Sequence, residues 1–298
     1  MNEIVSGLRF PEGPIAMPDG SVVLVEIERQ TLSRVTPEGS IEVIAKLGGG
    51  PNGAAMGPDG AVYVCNNGGF KWSEEGGLLA PAGTPDDYSG GRIERVDLAT
   101  GEFDVVYREC DGRPLNGPND IVFDAQGGMW FTDLGKTYET YRDVGCIYYA
   151  KPDGSLISRQ LGGRESPNGI GLSPDEKTLY FAETMVGRVW AYDITAPGQL
   201  DPRSGRLVVG LPGMQLFDSL AIDAEGNVCV ATLVNGGITI VSPDGERVEH
   251  VATGDVFTTN ICFGGEDLKT AYITLSGTGR LVSTDWPVAG LPLNFLNR

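Results

Sequence analysis

Six acidic or amide residues, Glu12, Asn52, Asn119, Asn168, Asp218 and Asn260, stand seven positions before another acidic or amide residue at the apex of a hairpin turn: Asp19, Asp59, Gln126, Asp175, Glu225 and Asp267. Their donors are all oxygen, two carboxylates and four amides. Hard divalent cations, Ca2+ above all, take about six to eight oxygen ligands. Two carboxylates balance a 2+ charge, and amide oxygens with water fill the other positions; Zn2+, Mn2+, Mg2+ and Fe2+ are the alternatives. Asn before Gly, as in Asn52-Gly53 and Asn168-Gly169, also makes turns through its tolerance of left-handed backbone, and that suffices for Asn52 or Asn260 taken singly. Glutamate has no such turn role, so Glu12, Asn119, Asn168 and Asp218 together are expected to hold a metal ion.

Residues so far apart in sequence meet only if a repeat gathers them. Each is followed by a short apolar stretch, such as Ile121-Val122-Phe123 or Leu220-Ala221-Ile222, then a turn, then a strand rich in β-formers, such as Val22 to Val25 or Val228 to Ala231. A third strand opens on a small residue, as in Gly145-Cys146-Ile147-Tyr148-Tyr149, and a further turn leads to a fourth. The spacings between the six markers are 40, 67, 49, 50 and 42 residues. Four strands per repeat at that period predict an all-β, six-bladed β-propeller filling residues 1–298 as one domain. The innermost strand of each blade lines the central channel, so the markers converge at its mouth. Glu3-Ile4-Val5-Ser6 is expected to supply the outer strand of the sixth blade, since an open ring would expose a sheet edge.

The chain has 22 Lys and Arg against 40 Asp and Glu, a net charge of −18, which argues against nucleic acid and anionic membranes as partners. It shows neither a charged and apolar leader nor an apolar run near the roughly 20 residues of a spanning helix, so a cytoplasmic protein is expected. Five cysteines, Cys65, Cys110, Cys146, Cys229 and Cys262, lack metal-site spacing and read as buried free thiols. The single histidine, His250, falls in an expected outer strand, Val248-Glu249-His250-Val251. Imidazole-built zinc sites and a Ser-His-Asp triad at the channel are thereby disfavoured.

Phe10-Pro11-Glu12-Gly13-Pro14, Gly117-Pro118-Asn119-Asp120, Ser166-Pro167-Asn168-Gly169 and Phe217-Asp218-Ser219, in that order and at blade spacing, give the chain a resemblance to the SMP-30/gluconolactonase/LRE-like family over almost its whole length. The resemblance implies a sugar lactonase with one divalent metal held by Glu12, Asn168 and Asp218, Asn119 binding metal or substrate. Sugar lactonases of the family contact substrate through an Arg two residues before the Asn119 position. Here that position is Gly117, so the resemblance does not carry substrate identity.

Hydrolysis of a lactone to its open-chain acid needs a polarised carbonyl and an activated water. Asp218 is the candidate general base, or it chiefly positions the metal, because a nearby cation favours its ionised form; Asn119 would orient substrate oxygen. The second blade is lengthened between Val64 and Gly91, and long loops are often functional. Asn66 and Asn67 are candidate contacts to sugar hydroxyls, and Phe70, Trp72 and Tyr88 a candidate cap; an outward surface excursion is the alternative. Two competing functions are phosphotriester hydrolysis on the same ring, which apolar walls would favour, and a noncatalytic propeller clamped by its metal.

Overall fold

The structure, a computed structural model, describes residues 1–298. Six antiparallel sheets follow one another around a ring. Blade 1 is Pro11–Ala16, Val22–Glu26, Thr31–Val35 and Ile41–Lys46, counted from the innermost strand outward. Blade 2 is Pro51–Met56, Val62–Asn66, Arg92–Val96 and Phe103–Tyr107; blade 3 is Pro118–Phe123, Met129–Asp133, Gly145–Ala150 and Ile157–Arg164. Blade 4 is Pro167–Leu172, Thr178–Glu183, Arg188–Ala196 and Arg206–Gly210, with a two-residue fifth strand at Gln199–Leu200. Blade 5 is Leu216–Ile222, Val228–Leu233, Gly237–Val241 and Val248–Ala252, and blade 6 is Thr258–Gly264, Thr270–Leu275, Arg280–Asp285 and, from the other end of the chain, Asn2–Ser6. The expected closure is present, with Glu3 paired to Val282 and Ser6 to Arg280.

The hydrophobic core is a ring of seams between neighbouring blades. Tyr63, Cys65 and Ile93 of blade 2 pack with Ile121, Phe131 and Tyr148 of blade 3 in a cluster of 13 buried residues. The seam between blades 6 and 1, Val5 and Leu281 against Val22 and Leu24, has only 6. Second strands such as Met129–Asp133 are buried throughout because sheets cover both faces, whereas an outer strand such as Val248–Ala252 is largely exposed. His250 lies exposed on that outer strand, as expected. The five cysteines are unpaired, four of them buried and Cys146 half-buried. The only helical piece is a single turn, Thr184–Val186, and no helix is long and apolar enough to cross a membrane.

The C-terminal segment closes the channel at the end opposite the markers. The Leu291 amide donates to the Ile222 carbonyl, and Asn294 Nδ2 donates to the Phe123 carbonyl and to Glu176 Oε1. Leu291, Leu293 and Leu296 face Ile15, Phe123 and Ile222 there, so the channel below the markers is mainly apolar.

Candidate functional site

Each marker sits where its innermost strand slips register. In blade 3 Pro118 faces Asp133 and Ile121 faces Phe131, so Asn119 and Asp120 share the space of one residue; blades 2, 4 and 5 repeat this at Asn52, Asn168 and Asp218. A bulge of this kind twists the strand and re-aims its side chains. In four blades the residue before the marker is proline, which has no N–H to lose at a strand start. Its partner is acidic or amide: Pro11 faces Glu26, Pro51 Asn66, Pro118 Asp133 and Pro167 Glu183. These side chains grip the backbone just ahead of the proline. Glu26 accepts from the Arg9 amide at 2.8 Å, Asn66 Oδ1 from Gly50 at 2.9 Å, Asp133 from Asn116 at 2.8 Å and Gly117 at 2.7 Å, and Glu183 from Glu165 at 3.1 Å. Blade 5 differs: Phe217 faces Thr232, whose hydroxyl bonds instead to the Val230 carbonyl and the Thr239 hydroxyl.

Glu12, Asn119 and Asn168 are buried, and Asp218 keeps a solvent-facing edge. Glu12 Oε2 accepts from the Gly13 amide and from Asn260 Nδ2, both at 2.7 Å. Asn168 Nδ2 donates to Thr184 Oγ1 at 3.1 Å, and its Oδ1 accepts from Ser219 Oγ at 3.4 Å. Asn119 Oδ1 is buried without a hydrogen-bond partner.

A third carboxylate, absent from the expected set, joins Glu12 and Asp218. Asp120, beside Asn119, is buried and accepts from the Ile121 amide at 2.9 Å and the Ile170 amide at 3.4 Å. The Asn119-Asp120 pair was visible in the motif; that the bulge turns both side chains inward was not. Burial pushes the Asp120 carboxyl up to about 7. Burial, followed by repulsion from Asp218, holds Glu12 well above the ordinary carboxylate range, against the bonds from Asn260 and Gly13. Asp218 is raised by burial and by Asp120, with Asn168 and the Ser219 amide opposing. Crowded, desolvated carboxylates beside an unpartnered amide oxygen are electrostatically incomplete, and a hard cation supplies what they lack. The donor set therefore fits a divalent metal at Glu12, Asn119, Asn168 and Asp218.

The register corrects one marker. In blade 6 Thr258 faces Leu275 and Ile261 faces Ile273, which matches Pro118 and Ile121, so Thr259 is the counterpart of Asn119 and Asn260 the counterpart of Asp120. Asn260 reaches the ring by bonding Glu12 from that neighbouring position. Asn52 lies buried in the marker register of blade 2.

Two substrate-contact expectations fail. Asn66 is fully buried, its Oδ1 held by Gly50 and Gly68 and its Nδ2 by the Gly48 carbonyl and Glu94. Asn67 is also buried, with Oδ1 accepting from Gly69 and from Lys136. Asn66 ties the end of its strand to Gly48, Gly50 and Glu94, and Asn67 Nδ2 is buried without a partner, so neither amide is exposed to a sugar hydroxyl at the surface. Lys136 is the hub of the long loop: buried, it donates to the Gly69 carbonyl at 2.6 Å and the Asn67 carbonyl at 3.1 Å, and it lies 4.3 Å from the Phe70 ring centroid and 5.2 Å from that of Tyr88. Tyr88 points back into the fold, donating to the Asn116 carbonyl at 2.5 Å. Trp72 opens the hairpin Trp72–Glu75 and Leu78–Pro81, which crosses to blade 6 through the Leu79 amide and the Gly277 carbonyl; its ring lies 5.1 Å from Phe10, two residues before Glu12. At Gly117 a Cβ would come within 2.5 Å of the Gly135 carbonyl oxygen, so no side chain projects from the position the family uses for a substrate-binding Arg.

The loops beside Asn168 and Asp218 expose five apolar side chains among polar ones such as Gln215 and Asn235. Met185 and Val186 follow Thr184, Met214 lies on the loop leading to Asp218, and Val234 and Val256 lie on adjoining loops; all five are exposed. The loops are tied together by the Leu211 amide to the Gly187 carbonyl and by the Val234 amide to the Val256 carbonyl.

The gluconolactonase of Zymomonas mobilis is 27% identical to this chain over 305 residues, spanning 92% of this chain and 78% of that protein. Lactonase drp35 of Staphylococcus epidermidis is 28% identical over 239 residues, 78% of this chain and 66% of its own length. Among solved structures, the calcium-binding protein regucalcin from Agrobacterium tumefaciens aligns with a TM-score of 0.77 at 20% identity, covering 97% of this chain and 94% of that one. A gluconolactonase from Xanthomonas campestris gives 0.76 at 22%, covering 96% and 89%. At these identities the two structures share the fold. The sequence model of the SMP-30/gluconolactonase/LRE-like region matches residues 10–277, and the chain belongs to that family.

Proposed function

We propose that this chain hydrolyses a lactone to its hydroxy acid with one divalent metal ion, Ca2+ in first place, held by Glu12, Asn119, Asn168 and Asp218. The observation that carries the reading is the buried, unpartnered Asn119 Oδ1 in a ring with three carboxylates of raised pKa. Family membership and the lactonase relatives support it. When bound, the cation supplies Lewis-acid polarisation of the ester carbonyl, an effect of several kcal/mol.

The chain's own residues do the rest. Asn119, its Oδ1 turned to the ion, keeps its Nδ2 to donate to the ester oxygen, Asn168 is held in place by Thr184 and Ser219, and the carboxylate of Asp218, at the solvent-facing edge, takes a proton from the attacking water. The water oxygen bonds to the carbonyl carbon, the ring C–O bond breaks, and the departing ring oxygen receives the proton. Glu12 is fixed by Asn260 and Gly13 and stays an anchor. Trp72, standing on Phe10, forms the wall of the mouth on the blade 1 side.

The product acid ionises, so a proton-release screen reads the reaction directly. Metal-stripped protein is assayed on aldonolactones and other lactones with each divalent ion added back. Turnover with at least one ion is expected, and none with any ion overturns the reading. Phosphotriester hydrolysis is a second reading favoured by the apolar residues at the mouth; a phosphotriester in the same screen, cleaved faster than every lactone, would replace the first.

A further inference from the structure

We infer that the mouth is built for a lactone carrying an unbranched alkyl substituent, which lies on Met185, Val186, Met214 and Val234 while the ester sits at the oxygen ring; this rests on the lactonase reading above. The polar groups that would hold a polyhydroxylated ring are spent elsewhere. Asn66 is fully bonded, Asn67 is 2% exposed, Asp133 accepts from three backbone amides, and Gly117 leaves no room for a side chain.

The apolar side chains that face solvent beside the ring, with Gln215 and Asn235 between them, are tied to the ring by short links. Thr184, bonded to Asn168, starts the single turn that displays Met185 and Val186. Gly187 at its end accepts from Leu211, and four residues before Asp218 stands Met214, 72% exposed. Asn235 Nδ2 donates to Gln215 Oε1 at 3.5 Å, bringing Val234 to the same loop. Contiguity with Asn168 and Asp218 makes the substrate the occupant of this surface.

Val234 supplies independent support. It adopts a left-handed backbone with φ of 71°, where a β-branched residue is a genuine outlier. Gly or Asn would occupy that backbone without strain, and the Val side chain remains 46% exposed. Strain of this kind persists at ligand sites, where the side chain is needed for contact. Met214, unbranched and flexible, adapts to a chain of variable length.

The test compares kcat/KM for a δ-lactone bearing a pentyl chain with that for an aldono-δ-lactone, at saturating metal, in wild type, Val234→Asn and Met214→Ser. Wild type is expected to prefer the alkyl lactone. In each variant the alkyl-to-hydroxylated ratio should fall by about tenfold, the scale of a lost methylene contact in an apolar pocket. Val234→Asn should meanwhile melt no lower than wild type, because its backbone strain is relieved. A wild-type preference for the aldonolactone, or an unchanged ratio in both variants, overturns the inference and leaves the lactonase reading standing. An unchanged ratio with a shifted sedimentation coefficient would assign the surface to a second copy of the chain instead. No hydrolysis of either lactone with any ion overturns both.

Discussion

Asn260 donates to Glu12 at 2.7 Å across 248 positions of sequence, and the bond crosses the seam between blades 6 and 1. That seam is the thinnest of the six. It is reinforced by polar contacts, the Ser276 and Thr259 hydroxyls both donating to the Pro11 carbonyl. The ring is thus closed beside the carboxylate proposed to anchor the metal.

Asn260→Leu removes one of the two donors to Glu12 Oε2 and frees that carboxylate to turn. Outer-shell partners of metal ligands typically contribute about 10- to 100-fold in affinity. A loss of that size is expected in calorimetric titration with Ca2+, and unchanged affinity would show that Gly13 alone fixes Glu12.

Chelation should lower the melting temperature and abolish lactone turnover, both restored by adding metal back. An ion bound only by the folded ring stabilises it by about 2.7 kcal/mol at 100 times its Kd. Full activity in protein shown to be metal-free by elemental analysis would sink the metal proposal.

Asp218→Asn separates the two roles of that residue. It keeps one carbonyl oxygen and removes both the charge and the base. If Asp218 takes the proton, turnover stays depressed by about 10² or more at saturating metal; if it only holds the ion, saturation restores most of the rate. Turnover is measured against metal concentration, with occupancy checked separately.

Lys136 gives a pH dependence of definite sign. Burial pushes its ammonium down to about 7, with Asp133 and Asp143 opposing, against about 10.4 in an unfolded chain. Between those values the unfolded state holds a proton that the native state has lost, so stability rises with pH, with a slope approaching about 1.4 kcal/mol per pH unit. Below pH 7 the cost of burying the charge is present in full. Buried thiols such as Cys65 and Cys262 act oppositely above roughly pH 8.5, because they ionise first in the unfolded chain. Denaturant titrations from pH 7 to 8.5 should therefore show wild type gaining on Lys136→Met, and parallel curves would place the native pKa above that range.

The ring of blades was legible because burial forces apolar strands and tight turns to recur at a fixed distance, and Glu12, Asn119, Asn168 and Asp218 carried that register. Register inside a bulge was not legible. Asp120 turns inward because two residues share one place in the ladder, and Asn260 falls one position late because the closing turn is longer, so its seven-residue spacing kept the pattern while hiding the shift. Asn66 and Asn67 misled for a different reason: an amide at the start of a long loop has the same sequence appearance whether it meets a ligand or, as here, is buried against neighbouring strands and backbone.

Four blades lock the approach to their marker with a proline and a facing acid or amide, and blade 5, with Phe217 against Thr232, lacks the lock. The side chains from 211 to 215 can consequently be exchanged while the Leu211 amide keeps its bond to the Gly187 carbonyl of blade 4. Diversification of this scaffold would concentrate there, beside Asp218 and around Met214, and a library confined to those five positions would explore new substrates while leaving the ring that performs the chemistry untouched.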